Sequence, residues 1–203
     1  MSGRARHHVL AAVAIGVFVN SAGFYVLVPQ LAVAARDLRV APDVMGLLFS
    51  VSSLMSLILQ LPLGVASDRY GRRWFMVAGI LTTAGALLLR GTAHDVTTFA
   101  ASQALYGAAG PLVFSAGLSA VADALPVAER ARAIGIYQVG NTGGQLAGIA
   151  AAAVTASLGW RGGSFLLLAT TPISLGLALA MPETPFSGVR RRWGRCLPTC
   201  SGS

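Results

Sequence analysis

The sequence predicts an all-α integral membrane fold of six transmembrane helices, and three observations carry that prediction. Only 11% of its 203 residues are charged and 55% are hydrophobic, whereas a soluble domain is about 25% charged. The charges fall in short clusters that leave long uncharged stretches between them. Those clusters are dominated by arginine: all 15 basic residues are Arg, against seven acids. A net charge of +8 spread over a hydrated face would suit nucleic acid. Confined to turns between apolar runs, it instead marks one side of a bilayer, and no nucleic-acid partner is expected. Three His and two Cys are too few and too scattered for a metal site or a disulfide framework, so no metal, cofactor or catalytic residue is expected.

The uncharged stretches are Val9–Ala35, Val44–Ser67, Trp74–Leu89, Val96–Ala122, Ala133–Trp160 and Gly162–Pro182. Five reach the roughly 20 residues that cross the hydrocarbon layer. The third is short, and Arg73 and Arg90 at its ends are expected to extend their stems toward the headgroups. Barrel strands would alternate apolar and polar over about 10 residues, and no such pattern occurs.

Orientation follows from the arginines. With the N-terminus inside, Arg4, Arg6, Arg69, Arg72, Arg73, Arg130, Arg132, Arg190, Arg191, Arg192 and Arg195 lie on the inner side. Arg36, Arg39, Arg90 and Arg161 lie outside. Eleven against four is a positive-inside asymmetry, placing both termini in the cytoplasm of a multi-pass cell-membrane protein. The first run is too long for the apolar core of a signal peptide. Residues 1–8 form an inner N-terminus, residues 9–182 the membrane domain and residues 183–203 an Arg-rich tail. That tail has no apolar face and is expected to be disordered, with Cys196 and Cys200 reduced.

The turn after the second span reads Gly64-Val65-Ala66-Ser67-Asp68-Arg69-Tyr70-Gly71-Arg72-Arg73. Gly71 tolerates the positive φ of a sharp reversal, and Gly64 is expected to let a neighbouring backbone approach. Asp68, among three arginines at a helix end, is placed for charge-assisted hydrogen bonds or for the positive end of another helix.

This run resembles the signature between the second and third helices of the major facilitator superfamily, G-x-x-x-D-R-x-G-R-[RK], with each fixed position present. Weaker likenesses accompany it: Pro126…Glu129-Arg130…Arg132-Ala133…Gly135, Gly159-Trp160-Arg161 with Phe165, Pro182-Glu183-Thr184, and an acid, Asp123, ending the fourth span. The resemblance covers about residues 9–185. It implies the N-terminal six-helix half of a secondary transporter, built from two inverted three-helix repeats. It also implies that Gly64, Asp68, Arg69, Gly71, Arg72, Arg73 and Asp123 form a gating motif. There Asp68 would contact a helix of the second half and Arg72 would pair with Asp123, biasing the equilibrium between open states.

The function so implied is alternating-access transport of a small solute by an efflux-type permease, completed by a missing C-terminal half or a second copy. A truncated, non-transporting membrane fragment is the alternative. Two departures count against drug/proton antiport. Gln103 replaces the Arg that such members carry four residues before Gly107, and Val139-Gly140 replaces the Gly-Pro of their fifth helix in the run Val139-Gly140-Asn141-Thr142-Gly143-Gly144. All seven acids also sit at predicted helix ends or in turns, so this half offers no membrane-centred carboxylate.

The remaining chemistry is polar and uncharged. Asn20 and Tyr25 in the first span, Gln103 and Tyr106 in the fourth, and Tyr137, Asn141 and Gln145 on one face of the fifth are the candidate cavity residues. With Phe24 and Phe114 as apolar walls they suit a neutral or amphipathic solute. Each can equally serve as a hydrogen bond between helices. Gly140-x-x-x-Gly144-x-x-x-Gly148 reads as a packing ridge facing the first span or the missing half. An intramembrane enzyme is a remote reading: Ser119 in Gly117-Leu118-Ser119 has no His in the downstream spans to activate it.

Overall fold

A computed structural model describes residues 3–70, 72–124 and 127–180, without the side chains of residues 3–9, 12, 68–70, 116, 120–124 and 127. Among the described residues, eight α-helices form six rods: α1 (Gly3–Tyr25) with α2 (Leu31–Asp37), α3 (Pro42–Tyr70), α4 (Arg72–Gly91), α5 (Val96–Ala124), α6 (Val127–Val154), and α7 (Gly159–Leu168) with α8 (Thr171–Ala180). No strand occurs among the described residues. Val13–Asp37, Pro42–Ser67, Arg72–Gly91 and Ala156–Ala180 are both long and apolar enough to cross a membrane. Helices α5 and α6 have the length, at 29 and 28 residues.

Prolines set the breaks. Pro29 has no N–H and its ring crowds the carbonyl four residues back, so α1 gives way to a 3-10 turn at Val28–Gln30 before α2 resumes. Pro42 opens α3, where its missing donor costs nothing. Pro62 and Pro111 lie within α3 and α5. Around Pro111 the loss is repaired: the Gly107 carbonyl, which a residue-111 amide would have bonded, accepts from Ser56 Oγ at 2.8 Å. The sixth rod is divided between α7 and α8, with Pro172 in the first turn of the second piece. Gly159, at φ 66°, makes the turn that starts α7, a conformation a side chain would oppose.

Two glycine seams bring rods together. Hypothetical Cβ atoms on Gly140, Gly144 and Gly148 would lie 2.8, 2.3 and 2.5 Å from the carbonyl oxygens of Ala14, Phe18 and Ala22. Both sets step by four residues, so the ridge of α6 runs in register along α1. On the other seam, a Cβ at Gly107 would fall 2.2 Å from the Ser52 oxygen, so α5 lies directly on α3.

One apolar cluster, including Val13, Val17, Met76, Ile80, Val113, Tyr137 and Ala178, joins rods one, three, four, five and six. A second, with Leu27, Leu38, Met45, Phe99 and Trp160, gathers the rod ends around the turns near residues 38–41, 92–95 and 155–158. There Trp160 Nε1 donates to Asp37 Oδ2 at 2.9 Å, and Arg161 Nε donates to the Ala93 carbonyl at 3.0 Å. The Arg161 guanidinium lies 4.9 Å over the Trp160 ring. Three alternate connections between rods are thereby fastened at one end of the bundle.

Several expectations are corrected. Arg90 does not reach a headgroup: it is 1% exposed, with Nε donating to Ser164 Oγ at 2.9 Å and Nη2 to the Gly23 carbonyl at 3.2 Å. The third rod gains its length by continuing as helix through Arg72, Arg73 and Arg90. The fifth helix begins at Val127 rather than Ala133 and ends at Val154 rather than Trp160. Charges near the start of a helix limit its apolar span without ending its backbone hydrogen bonding. Gly64 has nothing within 4 Å of an added Cβ, because it lies on the side of α3 that carries exposed Leu57, Leu61 and Val65.

Candidate functional site

A cavity of about 440 Å³ opens between α1, α3, α5 and α6. From α1 come Asn20, Ser21, Phe24 and Tyr25, and from α3 Ser52, Ser53, Ser56, Leu57 and Gln60. Helix α5 supplies Tyr106, Gly107, Gly110 and Phe114, and α6 supplies Asn141 and Gln145. Its described lining contains hydroxyls, amides, phenols and aromatic rings, and no charged side chain.

Each wall is held by bonds that the fold itself supplies. Ser21 Oγ donates to Asn141 Oδ1 at 2.6 Å across the α1–α6 seam, and Gln145 Nε2 reaches the same oxygen at 3.5 Å. Asn20 Nδ2 donates to Thr83 Oγ1 at 3.1 Å, while Tyr106 OH donates to the Asn20 carbonyl at 2.7 Å. Phe24 packs against Phe49 at 4.8 Å, Tyr25 at 5.4 Å and Tyr106 at 5.8 Å between centroids. Behind Tyr106, the Arg90 guanidinium lies 5.5 Å from its ring, a favourable cation–π geometry.

Of the seven cavity candidates, Asn20, Tyr25, Tyr106, Asn141 and Gln145 border this space. Gln103 and Tyr137 do not. Gln103 is 1% exposed, and its Nε2 has no hydrogen-bond partner among the described residues. Tyr137 is buried with its OH donating to the Phe114 carbonyl at 3.3 Å. The sequence reading missed the polar stripe of α3. Ser52, Ser56 and Gln60 recur every four residues in a span of mean hydropathy 2.0, and that spacing was the available signal.

The expected gating residues occupy one end of the bundle. Asp68 and Arg69 fall in the last turn of α3 and Asp123 in that of α5, but their side chains, like Gly71, lie outside the described residues. Arg72 donates from Nη1 to the Ser119 carbonyl, tying the start of α4 to α5. Arg73 lies 5.8 Å over Trp74, and its buried Nε has no described hydrogen-bond partner. Glu183 and the two cysteines also lie outside the described residues. No cluster able to hold a metal ion occurs among the described residues.

The family model described as the Major Facilitator Superfamily matches residues 13–193. The chain belongs to the Major Facilitator Superfamily. Members of this superfamily are transporters, which removes the intramembrane-enzyme reading. Among curated relatives, the multidrug resistance protein MdtG of Enterobacter lignolyticus is 28% identical over 88% of this chain and 44% of its own length. The probable nitrate transporter NarT of Staphylococcus carnosus is 22% identical over 69% of this chain and 37% of its own. The chain thus spans less than half the length of these relatives. Two solved structures share the superfamily fold. The human organic anion transporter MFSD10 has TM-score 0.75 and 20% identity over 92% of this chain and half of its own. A bacterial homolog of the human lysosomal transporter Spinster, solved inward-facing, has TM-score 0.74 and 18% identity over 89% of this chain and 43% of its own.

Proposed function

We propose that this chain supplies one wall of a solute pathway in an efflux-type, alternating-access transporter of the cell membrane. Its solute is small, uncharged and hydrogen-bonding, with an apolar or aromatic face. The uncharged lining of the 440 Å³ cavity carries this reading. A charged solute would give up its hydration there with no opposite charge on this wall to offset the loss. Serine hydroxyls and the Asn141 and Gln145 amides offer donors and acceptors, while Phe24 and Phe114 offer stacking surfaces. The names of NarT and MFSD10 refer to anions, for which this wall holds no arginine.

The open side of the cavity is completed by a second six-helix unit, either a C-terminal half or another copy of this chain. The exposed stripe of Leu57, Leu61 and Val65 on α3 supports that assignment, since it borders the cavity beside Leu57. Asp68, Arg69, Gly71, Arg72, Arg73 and Asp123 then form the cytoplasmic gate, with both termini on that side. The arginine asymmetry supports this orientation. Six membrane crossings are the reading that the six rods support, four of them being both long and apolar enough to cross.

Vesicles reconstituted with the protein and loaded with 4-nitrophenyl glucoside, nitrate or ethidium test the reading. Glucoside movement that Ser56→Ala and Asn141→Ala slow at least fivefold, with no nitrate or ethidium flux, is the expected result. Nitrate or ethidium flux without glucoside flux overturns it.

A further inference from the structure

A second, much smaller cavity lies behind the solute-facing wall. Its volume is about 20 Å³, and α1, α4 and the α7–α8 rod line it. Asn20 and Gly23 border it from α1, Thr83 from α4, and Thr170, Thr171 and Ser174 from around the break in the last rod. Asn20 also borders the large cavity, so this residue faces both spaces.

The polar groups around the small cavity are unevenly satisfied. The Thr83 hydroxyl donates to the Gly79 carbonyl at 2.9 Å and accepts from Asn20 Nδ2. Thr170 Oγ1 donates to the Leu167 carbonyl at 2.7 Å. Their hydrogens are committed and acceptor capacity remains, as it does at Asn20 Oδ1. Ser174 is the opposite case. It is 4% exposed, and its buried Oγ has no hydrogen-bond partner among the described residues. A buried hydroxyl left in that state is costly, and it borders a space whose other oxygens call for a donor.

We propose that this cavity is a binding site for one water molecule. The site fits water in three ways. Its volume of about 20 Å³ exceeds the roughly 10–15 Å³ that one water requires. A water can accept from Ser174 while donating to two of the oxygens on Asn20, Thr83 and Thr170, giving the two to four partners such a water needs. A sodium ion, the other small occupant of an oxygen-lined space, is opposed by charge, since the buried Arg90 guanidinium bonds the carbonyl of Gly23 in the cavity wall. The water joins the first, third and sixth rods at a point where they share no direct side-chain bond to Ser174. It also fixes the amide of Asn20 from behind, which sets the face Asn20 presents to the solute cavity.

The assignment goes beyond the transport reading and does not depend on the solute. Thermal unfolding of the detergent-solubilised protein and of Ser174→Ala, each in sodium and in choline chloride, gives the first test. If water bridges Ser174, the alanine variant loses that bond and its midpoint falls by about 2–4 °C, equally in both salts. A midpoint that stays or rises shows that the hydroxyl was unsatisfied and overturns the site. A sodium-dependent rise that Ser174→Ala abolishes assigns a cation and overturns water. X-ray radiolysis in ¹⁸O-water gives a second, direct readout. Leu87, which borders the cavity and is 2% exposed, should take up solvent oxygen, and Ser174→Val should lower that uptake at least twofold. Absence of labelling at Leu87 in the parent protein counts against the site.

Discussion

Arg90 Nη2 donates to the carbonyl oxygen of Gly23 at 3.2 Å, at the point where the first membrane helix loses its regular hydrogen bonding. Pro29 forces the break. Leu27 N–H then turns to Phe24, three residues back, at 3.3 Å, and the Gly23 carbonyl goes to the guanidinium of a different rod. A cation at the C-terminal end of a helix is favoured by the helix dipole as well as by the bond. Because Nε simultaneously holds Ser164 Oγ and the guanidinium faces Tyr106, one side chain joins rods one, three, four and six.

Arg90→Met should therefore destabilise the protein by about 2 kcal/mol, since charge-assisted bonds contribute roughly 1.5–3 kcal/mol each and relief of a buried charge offsets part of the loss. Arg90→Lys should recover little of it. An ammonium retains the charge but lacks the fork that reaches two acceptors on separate rods. Denaturant unfolding in micelles measures both, and a lysine variant as stable as the parent would show that charge alone matters.

The α1–α6 seam yields a sharper contrast. Gly144→Ala places a Cβ 2.3 Å from the Phe18 carbonyl, so one helix has to move, at a cost of about 1–3 kcal/mol for overpacking. Gly135, on the same helix, has open space around an added Cβ. Gly135→Ala should gain about 0.5–1 kcal/mol from helix propensity. Opposite signs from two Gly→Ala changes in one helix, read from unfolding midpoints, test the seam directly.

Those two glycines also show how far the sequence could be read. The four-residue spacing of Gly140, Gly144 and Gly148 announced a ridge, because small residues at that spacing form a continuous groove on any helix. Which rod fills the groove depends on tertiary packing, and only the contacts with Ala14, Phe18 and Ala22 settle it. Asn20, Asn141 and Gln145 stood out as amides within apolar spans, whereas Ser52, Ser56 and Gln60 were passed over although their four-residue period was there to be read. Arg90 misled the sequence reading because an arginine next to a turn ordinarily extends to water. Its burial depends on a broken helix on another rod, at a distance of 67 residues in sequence. The first span was read as unbroken; Pro29 carried the signal for the break, but nothing nearby signalled its consequence for Gly23.

Ser56 and Pro111 should be energetically coupled. Pro111 denies the Gly107 carbonyl its intrahelical donor, and Ser56 Oγ supplies one at 2.8 Å. Ser56→Ala alone should cost about 1 kcal/mol. In a Pro111→Ala background the residue-111 amide can bond Gly107 itself, and the same serine change should cost less than half as much. A double-mutant cycle on unfolding free energy measures the difference, and strict additivity would mean that the proline and the serine act independently.

The start of α5 should depend on pH. Asp95 caps that helix, its Oδ2 accepting from the Thr98 amide at 2.8 Å and its Oδ1 from the Thr98 hydroxyl at 2.6 Å. The Thr98 hydroxyl, followed by the Thr98 amide, holds the carboxyl below its ordinary value of 3.8. A depressed folded-state value means the carboxylate favours the folded state above about pH 4, and that contribution disappears as pH falls through the lowered value. Hydrogen-exchange protection at Thr98 should accordingly be constant from pH 7 to 5 and decline below pH 4. Asp95→Asn keeps an acceptor oxygen at the cap but cannot titrate, so its protection should stay level across the same range. Asp95→Ala should be poorly protected throughout. If the asparagine variant declines in step with the parent, another group carries the pH dependence and the cap does not.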